Sequence, residues 1–278
     1  MLKKCAALAT AVLIAVAPPV PAQDARPTDA LLDTLGLSET VEVMRKEGIS
    51  YGEELAEDML PGGTGDSWGQ AVDRIYDTAR MEETVRAGFA RAWAAEGLAM
   101  EGVAQYFASD NGQEVVRLEI SARDAMTEPG VEEAARAAFR DRDDEIDADP
   151  RLAEIARFIE TNDLINANVV GAMNSSYEFY AGLVDGGAFE MSEDEILRVV
   201  WDSEPDSRKE TREWLFAYMM MAYQPLEQDV LSDYVDLAAS EQGQALNRAL
   251  FAGFDEMYAE ISYALGLALA RQMTAQEL

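Results

Sequence analysis

Two stretches of the chain, "FASDNGQ" at Phe107–Gln113 and "AASEQGQ" at Ala238–Gln244, write Ser-x-x-Gly-Gln twice in the same setting. Each sits between two segments whose apolar residues recur at helix spacing. Serine is a preferred helix N-cap, because its hydroxyl accepts a hydrogen bond from a free amide of the first turn. Asp110 and Glu241 follow directly, where a negative charge meets the positive end of the helix dipole. Gly112 and Gly243 then fall at the third helical position, where glycine costs about 1 kcal/mol against alanine. That cost is explained if another backbone passes too close for a side chain. The pattern predicts a helix–corner–helix joint with a tight crossing. In the other reading, Ser109, Gln113, Ser240 and Gln244 face a pocket as hydrogen-bonding groups.

Working outward, a shift of 131 positions carries Ser109 onto Ser240, Gly112 onto Gly243, Gln113 onto Gln244 and Arg117 onto Arg248. Val115 falls on Leu246, and Val103 on Tyr234. With smaller shifts, Tyr76-Asp77 falls on Trp201-Asp202, and Tyr51 lies near Tyr177. The chain reads as two tandem, divergent helical units, 23–147 and 148–278, after an N-terminal segment at 1–22. Nearly every segment between follows helix spacing and none alternates as a strand does, so the fold class is all-α. Thr28, Ser38 and Ser192 are expected N-caps. "PGGTGD" at Pro61–Asp66 should break the chain, and the acidic "DRDDEIDADP" at Asp141–Pro150 should separate the units. The last helix, from about Ser240 to Met273, is the longest. Its stretch Ile261–Ala270 is apolar nearly all round, which predicts burial on more than one side.

"YQPLEQDVLSDYVDLAASEQGQALNRALFAGFDEMY" at Tyr223–Tyr258 resembles the hallmark segment of the bacterial family known as domain of unknown function 2059. Here the corner lacks the aromatic residue before Ser240 and the proline after it. "MEGVAQYFASDNGQEVVRLE" at Met100–Glu119 is a weaker match. The resemblance implies an exported helical protein. It brings no established activity and carries over no catalytic residue.

Composition bounds the chemistry. The N-terminus joins basic Lys3 and Lys4 to the apolar "CAALATAVLIAVA" and then to Pro18, Pro19 and Pro21, the order of a secretory signal. Cleavage is expected after Ala22, giving a periplasmic protein. Cys5 precedes the apolar core, and a lipidated cysteine would follow it. The apolar run is short for a membrane span, so an integral membrane protein is not expected. The net charge of −31 argues against nucleic acid as a partner, whose phosphates need Lys and Arg. No histidine is present, so Ser-His-Asp and Cys-His catalysis and histidine zinc sites are absent. No phosphate-cradling glycine motif is written either. Cofactors and metals are therefore not expected.

Candidate sites are few. Asp143, Glu145, Asp147, Asp149 and Glu154 are spaced like a calcium loop, but Ala148 stands where the loop needs glycine and Arg151 takes a ligand position. "WLFAYMMMAY" at Trp214–Tyr223 reads as a core helix, or as the wall of an apolar pocket. Neighbouring acids such as Glu82/Glu83 or Asp194/Glu195 point apart on a helix and do not converge. The first reading is a non-catalytic periplasmic protein that binds a partner protein or assists envelope upkeep. A carrier of a small apolar ligand between the units is second, and a carboxylate hydrolase third. N-terminal sequencing of the periplasmic fraction should read Gln23 first; Met1 retained in the membrane fraction would contradict the export reading.

Overall fold

The computed structural model describes residues 26–60 and 66–276. The expected export segment, its cut after Ala22 and, but for Asp66, the "PGGTGD" break lie outside the described residues. Among those residues the secondary structure is α-helical, with one 3-10 turn at Asp143–Glu145. In chain order the helices are α1 (Pro27–Thr34), α2 (Leu37–Met59), α3 (Asp66–Ile75), α4 (Thr78–Glu96), α5 (Glu101–Phe107), α6 (Asp110–Met126) and α7 (Pro129–Arg140). After the 3-10 turn come α8 (Pro150–Thr161), α9 (Leu164–Asp185), α10 (Glu193–Asp202), α11 (Glu204–Tyr223), α12 (Gln228–Ala239) and α13 (Glu241–Gln276). No described helix is long and apolar enough to cross a membrane.

α13 is the spine. Its 36 residues span about 54 Å at 1.5 Å per residue. It lies mainly along α9 and α4 and also touches α2, α3, α5 and α12. Ile261, Leu265, Leu269 and Ala270 are all buried, because helices cover this stretch from more than one side. α11 lies on α6, α7 and α9. Phe139 of α7 stacks on Phe216 of α11 with ring centroids 4.7 Å apart, an arrangement worth about 0.5–1.5 kcal/mol beyond area burial. One hydrophobic core runs from Leu31 in α1 to Ala270 in α13, so the two expected units share a single interior.

The two corners have matching hydrogen bonds. Ser109 Oγ accepts from the Gly112 amide at 3.2 Å and donates to the Tyr106 carbonyl at 2.6 Å. Ser240 Oγ accepts from the Gly243 amide at 3.0 Å and donates to the Leu237 carbonyl at 2.5 Å. Gln113 Nε2 donates to the Phe107 carbonyl at 2.7 Å and to the Thr34 carbonyl at 2.9 Å, tying α1 to the corner. Gln244 reaches only the Ala239 carbonyl, at 3.4 Å. Beyond the corner the correspondence thins: Tyr76 is buried, whereas Trp201 is 64% exposed.

At both corner glycines another backbone passes too close for a side chain. A Cβ on Gly243 would run into the Leu237 carbonyl and, at 2.7 Å, Ala238 Cα. A Cβ on Gly112 would meet Tyr106 and, at 2.6 Å, Phe107 Cα. The crowding backbone is the end of the preceding helix, folded back over the corner. The close helix crossings lie farther along α13. Gly253 faces Gly88 of α4, where a Cβ would stand 2.8 Å from the Gly253 Cα. Gly266 faces Gly182 of α9, and a Cβ on either would run into the other helix's backbone.

Two expected caps also move. α1 begins after Arg26 with Pro27 in its first turn, so Thr28 lies inside the helix. α2 begins after Gly36, not Ser38. Gly36 holds φ +68°, a left-handed turn that glycine adopts without a Cβ penalty, and it places Leu37 in the core. Ser192 caps α10 in a full capping box with Glu195. Asp149, inside the acidic stretch, caps α8 by accepting from the Arg151 and Leu152 amides.

The same substitution should have opposite signs at two helical glycines. Gly266→Ala should lower stability by about 1–3 kcal/mol through overpacking. Gly69→Ala, at an open position of α3, should raise it by up to about 1 kcal/mol. Urea melts that reverse this order would contradict the crossing at Gly266.

Candidate functional site

α6 buries Val115, Ala122 and Met126 along one stripe. Glu119 stands on that stripe, one turn after Val115, where the helix pattern calls for an apolar residue. It therefore points inward, and the surrounding helices accommodate it. From α11, the Tyr223 hydroxyl donates to Glu119 Oε1 at 2.6 Å. From α12, the Tyr234 hydroxyl donates to the same oxygen at 3.0 Å. The Tyr218 hydroxyl donates to the Glu119 carbonyl at 3.1 Å. Oε2 takes no hydrogen bond among the described residues, yet it is not one of the sealed, unpartnered polar atoms.

That combination is explained by a cavity of about 730 Å³ lined by α2, α5, α6, α8, α9, α11, α12 and α13. Glu119 lies deep in the protein, and its remaining accessible surface faces this space. The walls are mostly apolar and aromatic. Trp214 and Tyr218 stack with centroids 5.0 Å apart, beside Met219, Phe251 and Phe254. The lining extends to Tyr51, which is 46% exposed, so the cavity reaches toward solvent on that side.

Three other charged groups share the lining. Arg123, one turn beyond Glu119, binds Glu47 of α2 in a two-point fork, Nε to Oε1 at 2.9 Å and Nη2 to Oε2 at 2.8 Å. It also meets the Tyr258 hydroxyl at 3.4 Å. Asp255 of α13 lies against Gly171 of α9, where a Cβ would stand 2.6 Å from its Oδ1.

The electrostatics follow from this geometry. Burial pushes the Glu119 carboxyl above the usual carboxylate range, and the two tyrosine hydrogen bonds pull it partly back. Burial likewise raises Asp255. Burial alone would lower the Arg123 pKa, but Tyr258 and Glu47 outweigh it and the guanidinium is held more firmly charged. Tyr218, Tyr223 and Tyr234 are raised well above the ordinary tyrosine value, by burial first and by the Glu119 charge next. They remain protonated donors at neutral pH.

The residues singled out in the sequence are distributed differently. Of the corner set, Gly243 lines one end of the cavity; Ser109, Gly112, Gln113, Ser240 and Gln244 do not. Met219 lines the cavity, while Met220 and Met221 face a separate space of about 480 Å³ against α7 and α8. Four of the five calcium-like acids are engaged in pairs and caps, Asp143 with Arg212, Glu145 and Asp149 with Arg142, Glu154 with Arg157, and Asp147 is exposed. Glu82 pairs with Arg86, and Glu195 closes its capping box. Among the described residues no acidic cluster is arranged to hold a metal ion. Comparison with family models, curated proteins and solved structures returned no match.

Glu119 gives a pH signature. Burial favours its protonated form, so the folded protein keeps the proton to higher pH than the unfolded chain, where a glutamate titrates near about 4.3. Its stability contribution is full below that value and is lost as pH rises through the folded-state pKa. Glutamine cannot ionise. The unfolding free energy of Glu119→Gln relative to wild type should therefore rise as pH increases above about 4.3. Denaturant melts showing a pH-independent difference would contradict the inward placement.

Proposed function

We propose that this chain is a non-catalytic, exported binding protein that carries a small, largely apolar molecule in the cavity between its two halves. The observation behind this reading is the cavity itself. Its roughly 730 Å³ falls inside the about 300–1,000 Å³ typical of small-molecule sites, and such sites combine apolar walls with a few placed polar groups. The "WLFAYMMMAY" helix supplies Trp214, Tyr218 and Met219 to the wall. In this reading the doubled corner records a divergent duplication, and the resemblance to domain of unknown function 2059 extends to an exported helical body. Phe107 beside the first corner and Gly243 in the second both reach the lining, consistent with a site built between two related units.

Partner-protein binding is the second reading. It rests on α10, where Leu197 and Trp201 are one turn apart and both exposed. A carboxylate hydrolase is third. Glu119 and Asp255 both line the cavity with raised pKa values, but Glu119 takes its hydrogen bonds from tyrosines rather than from Asp255.

N-phenyl-1-naphthylamine, a neutral fluorescent probe of apolar sites, should bind with one-to-one stoichiometry and remain chemically unchanged. Ser262→Trp and Ser175→Trp, each placing an indole in the lining, should weaken binding about tenfold or more, the effect of ~1.4 kcal/mol. Binding unaffected by either plug, or no binding at all, would contradict the carrier reading.

A further inference from the structure

The charge arrangement within the cavity narrows the class of ligand. Among its lining groups are one guanidinium, Arg123, and three carboxylates, Glu47, Glu119 and Asp255. The Arg123–Glu47 fork uses both oxygens of Glu47 and two nitrogens of Arg123. Glu47 therefore already balances the Arg123 charge, so a ligand carboxylate reaching the free edge of the guanidinium would bring a second negative charge beside Glu47. Glu119 is the opposite case. Both tyrosines donate to Oε1, and Oε2 is left without a donor among the described residues while Glu119 lines the cavity. Asp255 accepts no hydrogen bond among the described residues and lies half-buried against the Gly171 backbone. The cavity therefore offers open acceptors, and its one cation has its charge already balanced by Glu47.

The walls favour the same chemistry. An aromatic ring presents a negative face, so a cation within about 6 Å of its centroid is attracted. Trp214, Tyr218, Tyr223 and Tyr234 all border the space that holds Glu119. At longer range, the net charge of −31 draws cations toward the protein and repels anions.

On the premise that the cavity binds a small molecule, we infer that its ligand is an apolar organic cation, an amine whose ammonium group hydrogen-bonds Glu119 Oε2 among the tyrosine rings. The apolar body fills the space lined by Met219, Phe251 and Phe254. The ammonium group then meets a carboxyl oxygen that has no other donor among the described residues, and no paired group inside the protein needs to separate.

The test is displacement of N-phenyl-1-naphthylamine from the full chain at about 0.15 M salt, where exposed charges are screened beyond roughly 8 Å. Three competitors share one skeleton: 2-(1-naphthyl)ethylamine, 2-(1-naphthyl)ethanol and 1-naphthaleneacetate. The amine should displace the probe about tenfold more tightly than the alcohol, a ratio equal to ~1.4 kcal/mol, and the carboxylate should be weakest. Glu119→Gln should remove the amine's advantage and leave the alcohol unchanged. Exposed Glu57→Gln removes the same charge from the surface and should change neither. Asp255→Asn serves as a second interior variant should Glu119→Gln fail to fold, and it should reduce the amine's advantage. Equal displacement by amine and alcohol, preference for the carboxylate, or an amine preference that survives both interior variants would overturn the inference while the probe's own binding upholds the carrier. Failure of the probe to bind would overturn both.

Discussion

Two glycine crossings on α13 govern the interior. At Gly253 and at Gly266 the backbones of α4 and α9 approach so closely that a methyl group would collide. Helices with ordinary side chains at their contact stay about 8–10 Å apart; glycine pairs allow the closest approach. Fixed to α4 near its middle and to α9 beyond it, α13 is positioned against both halves of the chain. Its aromatic residues Phe251, Phe254 and Tyr258 then face a space that α2, α6 and α11 enclose without filling. The cavity follows from this geometry: helices pinned at two points along a spine cannot collapse further between them.

Protein interiors are ordinarily close-packed, with few voids larger than a water, so a space of about 730 Å³ gives up packing energy. Placing Glu119 within it adds the cost of burying an ionisable group. The Tyr223 and Tyr234 hydrogen bonds offset only part of that cost, since the carboxyl pKa stays raised. The Arg123–Glu47 fork shows the contrasting arrangement, in which every charge has a geometric partner. A cavity, an acid on its wall and a carboxylate oxygen without a donor among the described residues make sense together when a ligand completes the set.

Much of the helical framework could be read from the chain. The spacing of Phe251, Phe254, Met257, Tyr258, Ile261 and Leu265 marks α13, and the Ser-x-x-Gly-Gln corners and Ser192 mark helix starts that the hydrogen bonds of Ser109, Ser240 and Ser192 describe. Ser38 misled because Gly36, two residues earlier, could adopt the left-handed turn that Leu37 needs to reach the core. The close backbone at the corner glycines could be read from their cost within a helix, but local pattern does not say that this backbone is the end of the preceding helix. α9 presents no clean stripe, being contacted by α8, α10, α11 and α13. The cavity was least legible, because its lining comes from eight helices and the turns after α1 and α3, spread from Leu35 to Leu265. One local signal did exist. In "VVRLEISARDAM", Glu119 interrupts the stripe of Val115, Ala122 and Met126, and an acid on a core-facing stripe needs an interior partner.

The central claim is that the space around Glu119 is a preserved, largely apolar cavity. A crystal structure of the protein pressurised with xenon tests this most directly, because xenon enters apolar cavities and is identified by its scattering. Xenon should appear between Met219, Phe251 and Phe254, with Tyr223 and Tyr234 still donating to Glu119. A closed interior with these side chains in mutual contact, no xenon among them, and Glu119 turned out to solvent would contradict it.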